Sequence, residues 1–244
     1  RHEVIVRYQH EVTEDDLEAA DLVMIFYWLE LAKMPVSEAA LERIRDKLLI
    51  GICSHFELEG PRRERGLAIL NRLPRRVFAN NALLQREFAP LIGVPVHYTP
   101  NGVDTNFYRP ADAPRVRASG TLRVGWAGSL ANMGAEQRGF PNVIQPAVAG
   151  LPGVELVTAI REHQWRNRDE MLAFYRDLDV YVCASRSEGT PNPCLEAAAC
   201  GVPVVTTPVG NMPELIVHGE NGAFFDGTVQ GLADQLALLR DAPA

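Results

Sequence analysis

Short apolar runs alternate with amphipathic, charge-rich stretches along the whole chain. In the first hundred residues Val4-Ile5-Val6, the run 21–27 (DLVMIFY), the run 48–53 (LLIGIC), Arg76 to Ala79 and Val94 to Tyr98 predict strands. Thr13 to Ala20 reads as a short helix capped by Thr13, Ser37 to Lys47 as a charged amphipathic helix, and Asn81 to Leu91 as a third. The texture changes after Pro100. Asn101-Gly102-Val103-Asp104 is a turn signal, and Pro110 to Gly120 is a polar stretch of Pro, Ala, Arg and Ser. This divides the chain into a first domain at 1–110, a linker at 111–119 and a second domain at 120–244. The second half restarts with a strand from Thr121 to Trp126. A helix from Asn142 to Gly150 follows, then strands at Val154 to Thr158, Val180 to Ala184 and Val202 to Thr206.

Strands alternating with helices predict an α/β protein with parallel, doubly wound sheets, which bind ligands at the carboxyl ends of their strands. Three loops of the second half fall there: 127–139, 185–193 and 207–213. The middle one opens the run Ser187-Glu188-Gly189-Thr190-Pro191-Asn192-Pro193-Cys194-Leu195-Glu196, which ends in Ala197-Ala198-Ala199-Cys200-Gly201. Glu188 sits in a Gly/Pro-rich turn and Glu196 on the helix that the turn launches. Asn192 or Thr190 can cap that helix, Pro191 or Pro193 suits its first position, and Gly201 can end it. A helix N-terminus attracts anions. Carboxylates beside it repel a phosphate but accept from hydroxyls on either side of one. A diphosphate with a sugar at one end and a ribose at the other fits this arrangement, which is a nucleotide-sugar.

Composition narrows the picture. At 244 residues, 47% apolar and 23% charged, the chain has the makeup of a globular protein. A net charge of −7 gives no footing for nucleic acid. Cys53, Cys183, Cys194 and Cys200 form no C-x-x-C pair and no zinc spacing, so reduced, buried thiols in a cytoplasmic protein are expected. No apolar run is long enough to span a bilayer. The chain opens at Arg1 without a Met, and residues are expected to precede it. Arg62 to Arg76 holds six positive charges against one negative; a solvated helix face accounts for it, and a peripheral contact with an anionic membrane or lipid phosphate is the functional alternative. Asp177-Leu178-Asp179 spells D-x-D before an apolar strand, where a turn or cap explains it better than a metal. Trp126 and Trp165 could stack on a base, although Trp126 at a strand end also suits a core.

Glu188 through Glu196 resembles the E-x7-E motif of retaining glycosyltransferases of the GT-B fold, which have two Rossmann-like domains facing a cleft. The run from Asp177 to Phe225 resembles the bacterial group 1 (family 4) glycosyltransferases in Leu178-Asp179-Val180-Tyr181-Val182, Glu188-Gly189, Cys200-Gly201-Val202-Pro203-Val204-Val205, Gly210 with Pro213-Glu214, and His218-Gly219-Glu220-Asn221-Gly222. Pro100-Asn101-Gly102-Val103-Asp104 with Phe107 is similar to the same family's interdomain signature. The resemblance is strong over 76–239 and weaker before. It implies a nucleoside-diphosphate-sugar donor, a glycan, lipid-linked or small-molecule acceptor, and neither metal nor cofactor. It assigns the donor sugar's hydroxyls to Glu188 and the ribose hydroxyls to Glu196, with Gly189, Thr190, Asn192 and Leu195 lining the donor site and backbone amides meeting the diphosphate.

Two departures stand out against that family. Its members commonly carry Gly-Arg after the first strand of this domain and Lys-Gly soon after. Here Gly128 is followed by Ser129, and Arg138 before Gly139 takes the place of the lysine as phosphate ligand. A full first domain begins with a strand and a Gly-rich loop that the chain does not show, and Ala244 precedes the helix that usually crosses back, so the first domain is expected to be shortened at its start. The family's active-site histidine falls nearest His55, with Tyr27 and Trp28 at the other plausible strand end. Glu188, Arg138 and His55 form the expected catalytic set. Front-face transfer asks only for positioning, through closure about 101–120, and for leaving-group electrostatics. Double displacement would need a carboxylate nucleophile below the anomeric carbon, a role that Glu188 is not expected to fill. Two other readings stay open: a nucleotide-sugar-binding module without full activity, and a GT-B nucleotide-sugar epimerase.

Overall fold

The computed structural model describes residues 2–113, 120–131 and 134–242. Residues 114–119 of the expected linker lie outside the described residues. The chain divides into two compact units, Arg1–Pro100 and Asn101–Ala244.

The first unit runs α1 (Glu14–Ala19), β1 (Val23–Ile25), α2 (Glu38–Arg43), β2 (Leu48–Ile52), α3 (Arg62–Arg72), β3 (Arg76–Ala79), α4 (Ala82–Phe88) and β4 (Val96–Tyr98). Its four strands are parallel and lie side by side in chain order. Side-chain caps set the helix starts: Thr13 in a reciprocal capping box with Asp16, Ser37 on Ala40 N, and Asn81 on Leu84 N. Ile50, Ile52, Val77 and Ala79 alternate into one core with Leu70, Leu84 and Phe88 from the crossover helices. Val4-Ile5-Val6, expected as a strand, joins no ladder among the described residues and lies 80%, 66% and 80% exposed. A three-residue apolar run between Glu3 and Arg7 gains nothing from an extended backbone without a neighbouring strand to bond. The helix expected over 37–47 breaks at Ile44 into a 3-10 turn at Arg45–Lys47.

The arginines of 62–76 are engaged within this unit. Arg62 lies 3.7 Å over the Phe56 ring, Arg72 pairs with Glu38 and Glu42, and Arg76 Nη1 lies 3.1 Å from His97 Nε2. Among the described residues no helix is long and apolar enough to cross a membrane.

The second unit runs β5 (Leu122–Gly128), α5 (Gly134–Gln137), α6 (Gln145–Ala149), β6 (Val154–Ile160), α7 (Arg168–Arg176), β7 (Val180–Cys183), α8 (Asn192–Ala199), β8 (Val204–Thr206), α9 (Met212–Leu215), β9 (Gly222–Phe224) and α10 (Val229–Asp241). A π-helical turn at Phe140–Ile144 leads into α6. The five strands are parallel in the order β6-β5-β7-β8-β9. Both faces are covered. Leu122, Val124, Trp126, Val180 and Val182 pack against α6 and α10, whereas Ala127, Tyr181 and Cys183 pack against α7 and α8. Asp177 and Asp179 bind Arg123: the backbone N–H of Arg123 donates to Asp179 Oδ2 at 2.7 Å and its Nη2 to Asp177 Oδ2 at 2.6 Å. The D-x-D sequence thus fastens β7 to β5. α7, β9 and α10 are elements beyond the pattern read from the sequence.

One ionisable group is buried in the first core. Glu57 follows β2 and is 2% exposed; its Oε1 accepts from Cys53 N at 2.7 Å, and its carbonyl accepts from Trp28 Nε1 at 3.1 Å. Burial pushes the carboxyl up to about 8, against the pull of the Cys53 and Ser54 amides. The folded chain therefore holds this proton more tightly than the unfolded chain, whose glutamates titrate near about 4.3. The stability it brings is complete below that value and is lost as pH rises to about 8. Glu57→Gln keeps the acceptor for Cys53 and has no proton to lose. Thermal unfolding from about pH 5 to about pH 8 is expected to fall less steeply in Glu57→Gln than in the wild type; parallel curves would contradict this.

Candidate active site

The order of the second sheet reverses between β5 and β7, since β5 leads outward to β6 while β7 leads the other way to β8 and β9. A crevice opens at the carboxyl ends of strands at such a switch point. It is present as a cavity of ≈ 240 Å³. Trp126, Ala127 and Gly128 from the end of β5 and Tyr181 to Cys183 from β7 line it, with Ser185, Glu188, Thr190 and Arg138 on the loops. Tyr181 ties the two strands at its floor, accepting from Ala127 N at 3.1 Å and donating to Ala127 O at 3.3 Å. Two glycines let the loops close on one another. Gly139 has φ +68°, and a Cβ there would lie 2.5 Å from the carbonyl oxygen of Ala184. Gly210 has φ +56°, and its Cβ would lie 2.4 Å from the carbonyl oxygen of Gly189.

Glu188 is half-buried in this crevice. Its Oε1 accepts from Ser185 Oγ at 2.8 Å. Burial raises its pKa above the usual carboxylate value, while the Ser185 hydrogen bond and the charge of Arg138 oppose the rise. Glu196 lies one turn into α8, and its Oε2 accepts from Tyr175 OH at 2.6 Å. The neighbouring Tyr108 hydroxyl interacts with Glu196 and with Arg168, whose Nη2 donates to Asp104 Oδ2 at 2.9 Å. Asn101 Nδ2 donates to Asn192 Oδ1 at 3.3 Å. The segment from Asn101 to Tyr108 is thus fastened to the same helix that carries the second glutamate.

The remaining candidates fall unequally. α8 begins at Asn192 with Pro191 at the N-cap, so neither Asn192 nor Thr190 caps it, and no side chain does. The amide of Asn192 is spent on the Thr190 carbonyl at 2.9 Å, and that of Cys194 on Pro191 at 2.8 Å. What α8 offers an anion is its dipole more than its first amides. Gly201, at φ +80°, follows the last turn as expected. Gly128 ends β5. The Ser129 hydroxyl is bound to Glu162 Oε1, and Glu162 Oε2 accepts from Leu130 N at 2.8 Å. These bonds, the Ser129 hydroxyl first, hold the Glu162 carboxyl down to about 2. Arg138 Nη1 donates to the Ser129 carbonyl at 3.3 Å and keeps its charge beside Glu188. Leu195 is buried in the core of the unit, and Gly189 lies under Gly210. Trp126 is 2% exposed with its ring centroid 4.1 Å from that of Phe140, so it belongs to the core, while Trp165 stands exposed under Arg161. His55 belongs to the first unit, 2.8 Å from Glu87 Oε2. Trp28 is a core residue and Tyr27 is exposed.

Ser185, Tyr175 and Tyr108 are site residues that the structure adds. Ser185 carried a local signal, a hydroxyl three residues before an acid in a turn. Three buried polar atoms around the loops have no partner among the described residues: Ser187 Oγ, Thr190 Oγ1 and Asn211 Oδ1. Buried polar groups are normally paired, and unpaired ones beside a crevice are open to a ligand.

Residues 113–241 match the family described as glycosyl transferases group 1. A D-inositol 3-phosphate glycosyltransferase of Arthrobacter sp. (strain FB24) is 30% identical over 179 residues, which cover 61% of this chain and 42% of that protein. The N-acetyl-alpha-D-glucosaminyl L-malate synthase of Bacillus anthracis is 43% identical over 65 residues, 26% of this chain and 17% of that one. The chain thus spans less than half the length of these relatives. Among solved structures, Anabaena HepE in complex with UDP and glucose superposes with a TM-score of 0.73 at 20% identity, over 93% of this chain and 70% of that one. Sucrose-phosphate synthase from Thermosynechococcus elongatus gives a TM-score of 0.63 at 17% identity, over 90% of this chain and 64% of that one. The fold is that of the GT-B glycosyltransferases. With more than half its length matched, including every residue that lines the crevice at the switch point, the chain belongs to the group 1 glycosyltransferases.

Proposed function

We propose that the chain transfers a sugar from a nucleoside-diphosphate-sugar to a hydroxyl of a glycan, lipid-linked or small-molecule acceptor, with retention at the anomeric carbon and without a metal ion. The observation that carries this reading is Glu188, held half-buried in the crevice beside Arg138, with Glu196 eight residues on along α8. Glu188 accepts from the hydroxyls of the sugar, and Glu196 from the ribose diol. Arg138 and the dipole of α8 meet the diphosphate. The same positive charge stabilises the diphosphate as it leaves, which is where a transfer of this kind develops charge.

Glu188 acts as an acceptor of hydroxyls rather than as a nucleophile, so retention follows front-face transfer. The bond between the anomeric carbon and the diphosphate oxygen breaks, and the acceptor oxygen bonds to the same face. The acceptor's proton passes to the departing phosphate oxygen. His55, oriented by Glu87, is the acceptor-side candidate of the first unit. The chain works in the cytoplasm, with Arg62 to Arg76 as the surface for any contact with an anionic membrane.

Transfer of labelled sugar from a panel of UDP-, GDP- and ADP-sugars tests the reading, and NMR of the product reads the anomeric configuration. Glu188→Gln and Glu196→Gln are each expected to weaken binding of the intact donor by about tenfold or more, the size of a hydrogen bond to a charged group. Unchanged affinity in both would sink the assignment.

A pH dependence follows from the burial of Glu188. Its ionised form accepts the sugar hydroxyls, and its pKa lies above that of an ordinary glutamate. Donor affinity is therefore expected to fall on acidification at a pH above about 4.3, where an exposed glutamate titrates. Titrations of the donor across this range should lose that limb in Glu188→Gln; an unchanged limb in the variant would assign it to another group.

A further inference from the structure

Each of the two glutamates has one carboxylate oxygen taken by a buried hydroxyl. Ser185 is 2% exposed and donates to Glu188 Oε1 at 2.8 Å. It is itself fixed: its carbonyl accepts from Thr207 Oγ1 at 2.6 Å, and Cys183 Sγ lies 3.6 Å from its hydroxyl. Tyr175 is fully buried and donates to Glu196 Oε2 at 2.6 Å. Its ring sits edge-on between Tyr108 and Tyr181, with centroids 6.0 and 5.9 Å away. A glutamate turns about three side-chain bonds, and holding one oxygen fixes the plane of the carboxylate and leaves the other oxygen aimed. Such pre-organisation lowers the ordering cost of binding. The two clamps come from different elements, the end of β7 for Ser185 and α7 for Tyr175, and share no hydrogen bond.

We propose that Ser185 and Tyr175 are positioning residues that set the two ends of the donor site independently, Ser185 the sugar end through Glu188 and Tyr175 the ribose end through Glu196. The inference rests on the donor reading above and deepens it. It makes the two hydroxyls separable by ligand: a nucleoside diphosphate has a ribose and no sugar, so it feels only the Tyr175 clamp.

The test titrates the full chain, as wild type, Ser185→Ala and Tyr175→Phe, with two ligands. These are whichever of UDP, GDP or ADP binds the wild type and the corresponding UDP-glucose, GDP-mannose or ADP-glucose. Ser185→Ala is expected to weaken the sugar nucleotide by about tenfold and leave the nucleoside diphosphate within about twofold. Tyr175→Phe keeps the packed ring and is expected to weaken both ligands by the same factor. For Ser185→Ala the ratio of the two affinities decides, because partial unfolding of a variant scales both alike. For Tyr175→Phe the unfolding midpoint without ligand decides, an unchanged midpoint supporting the clamp and a midpoint lowered enough to account for the shared loss overturning it. Loss of both ligands in equal measure in Ser185→Ala, or no change in either variant, overturns the proposal. Glu188→Gln and Glu196→Gln run beside them: if these leave both affinities unchanged, or no ligand of the panel binds the wild type, the donor reading itself fails.

Discussion

A parallel sheet in the order β6-β5-β7-β8-β9 sends the chain outward in opposite directions from two adjacent strands, β5 and β7. Their carboxyl ends cannot be covered by a shared crossover, so a crevice remains between them, and the rest of the site depends on it. The floor comes from strand ends whose side chains are already committed to the two cores. The walls come from loops brought together by close backbone approaches: Gly139 against Ala184 and Gly210 against Gly189. Any side chain at these two positions would push apart the loops carrying Arg138 and Glu188. Site geometry is thus a consequence of strand order first and of two glycines second.

Within that frame the electrostatics are arranged as an opposed pair. Burial raises the pKa of Glu188, and Arg138 with Ser185 pulls it back. A carboxylate so placed accepts hydrogen bonds in a partly dry setting, where each counts for more than in water. Ser129, by contrast, offers its hydroxyl to Glu162 rather than to the crevice. Arg138 is the cation whose charge acts on Glu188, and in the proposed donor complex it and the dipole of α8 face the diphosphate.

Much of the second unit was legible in the chain. Val180 to Cys183 reads as a strand because both its faces are buried, and a fully buried parallel strand is apolar throughout. Arg76 to Ala79 was legible to the residue, while Val4 to Val6 was not a strand, because pairing depends on a neighbour that hydropathy does not report. The start of α8 is not legible because two candidate caps and two prolines crowd four positions, and only backbone geometry chooses among them. That Glu188 and Arg138 lie beside one crevice could be read from local spacing and family resemblance. Tyr175 could not: 21 residues separate it from Glu196, and a buried tyrosine on a helix looks like core until its hydroxyl is seen to have a partner. The engagement of Ser129 by Glu162, 33 residues away, was hidden for the same reason.

The central claim is that one ligand spans both glutamates, sugar at Glu188 and ribose at Glu196. A crystal structure of the chain soaked with the sugar nucleotide that it binds most tightly tests this most directly. The account predicts sugar hydroxyls at about 2.6–3.2 Å from the free oxygen of Glu188 and the ribose diol at the same range from Glu196, with the diphosphate between them facing Arg138. A ribose bound away from Glu196, or a sugar with no contact to Glu188, would contradict it.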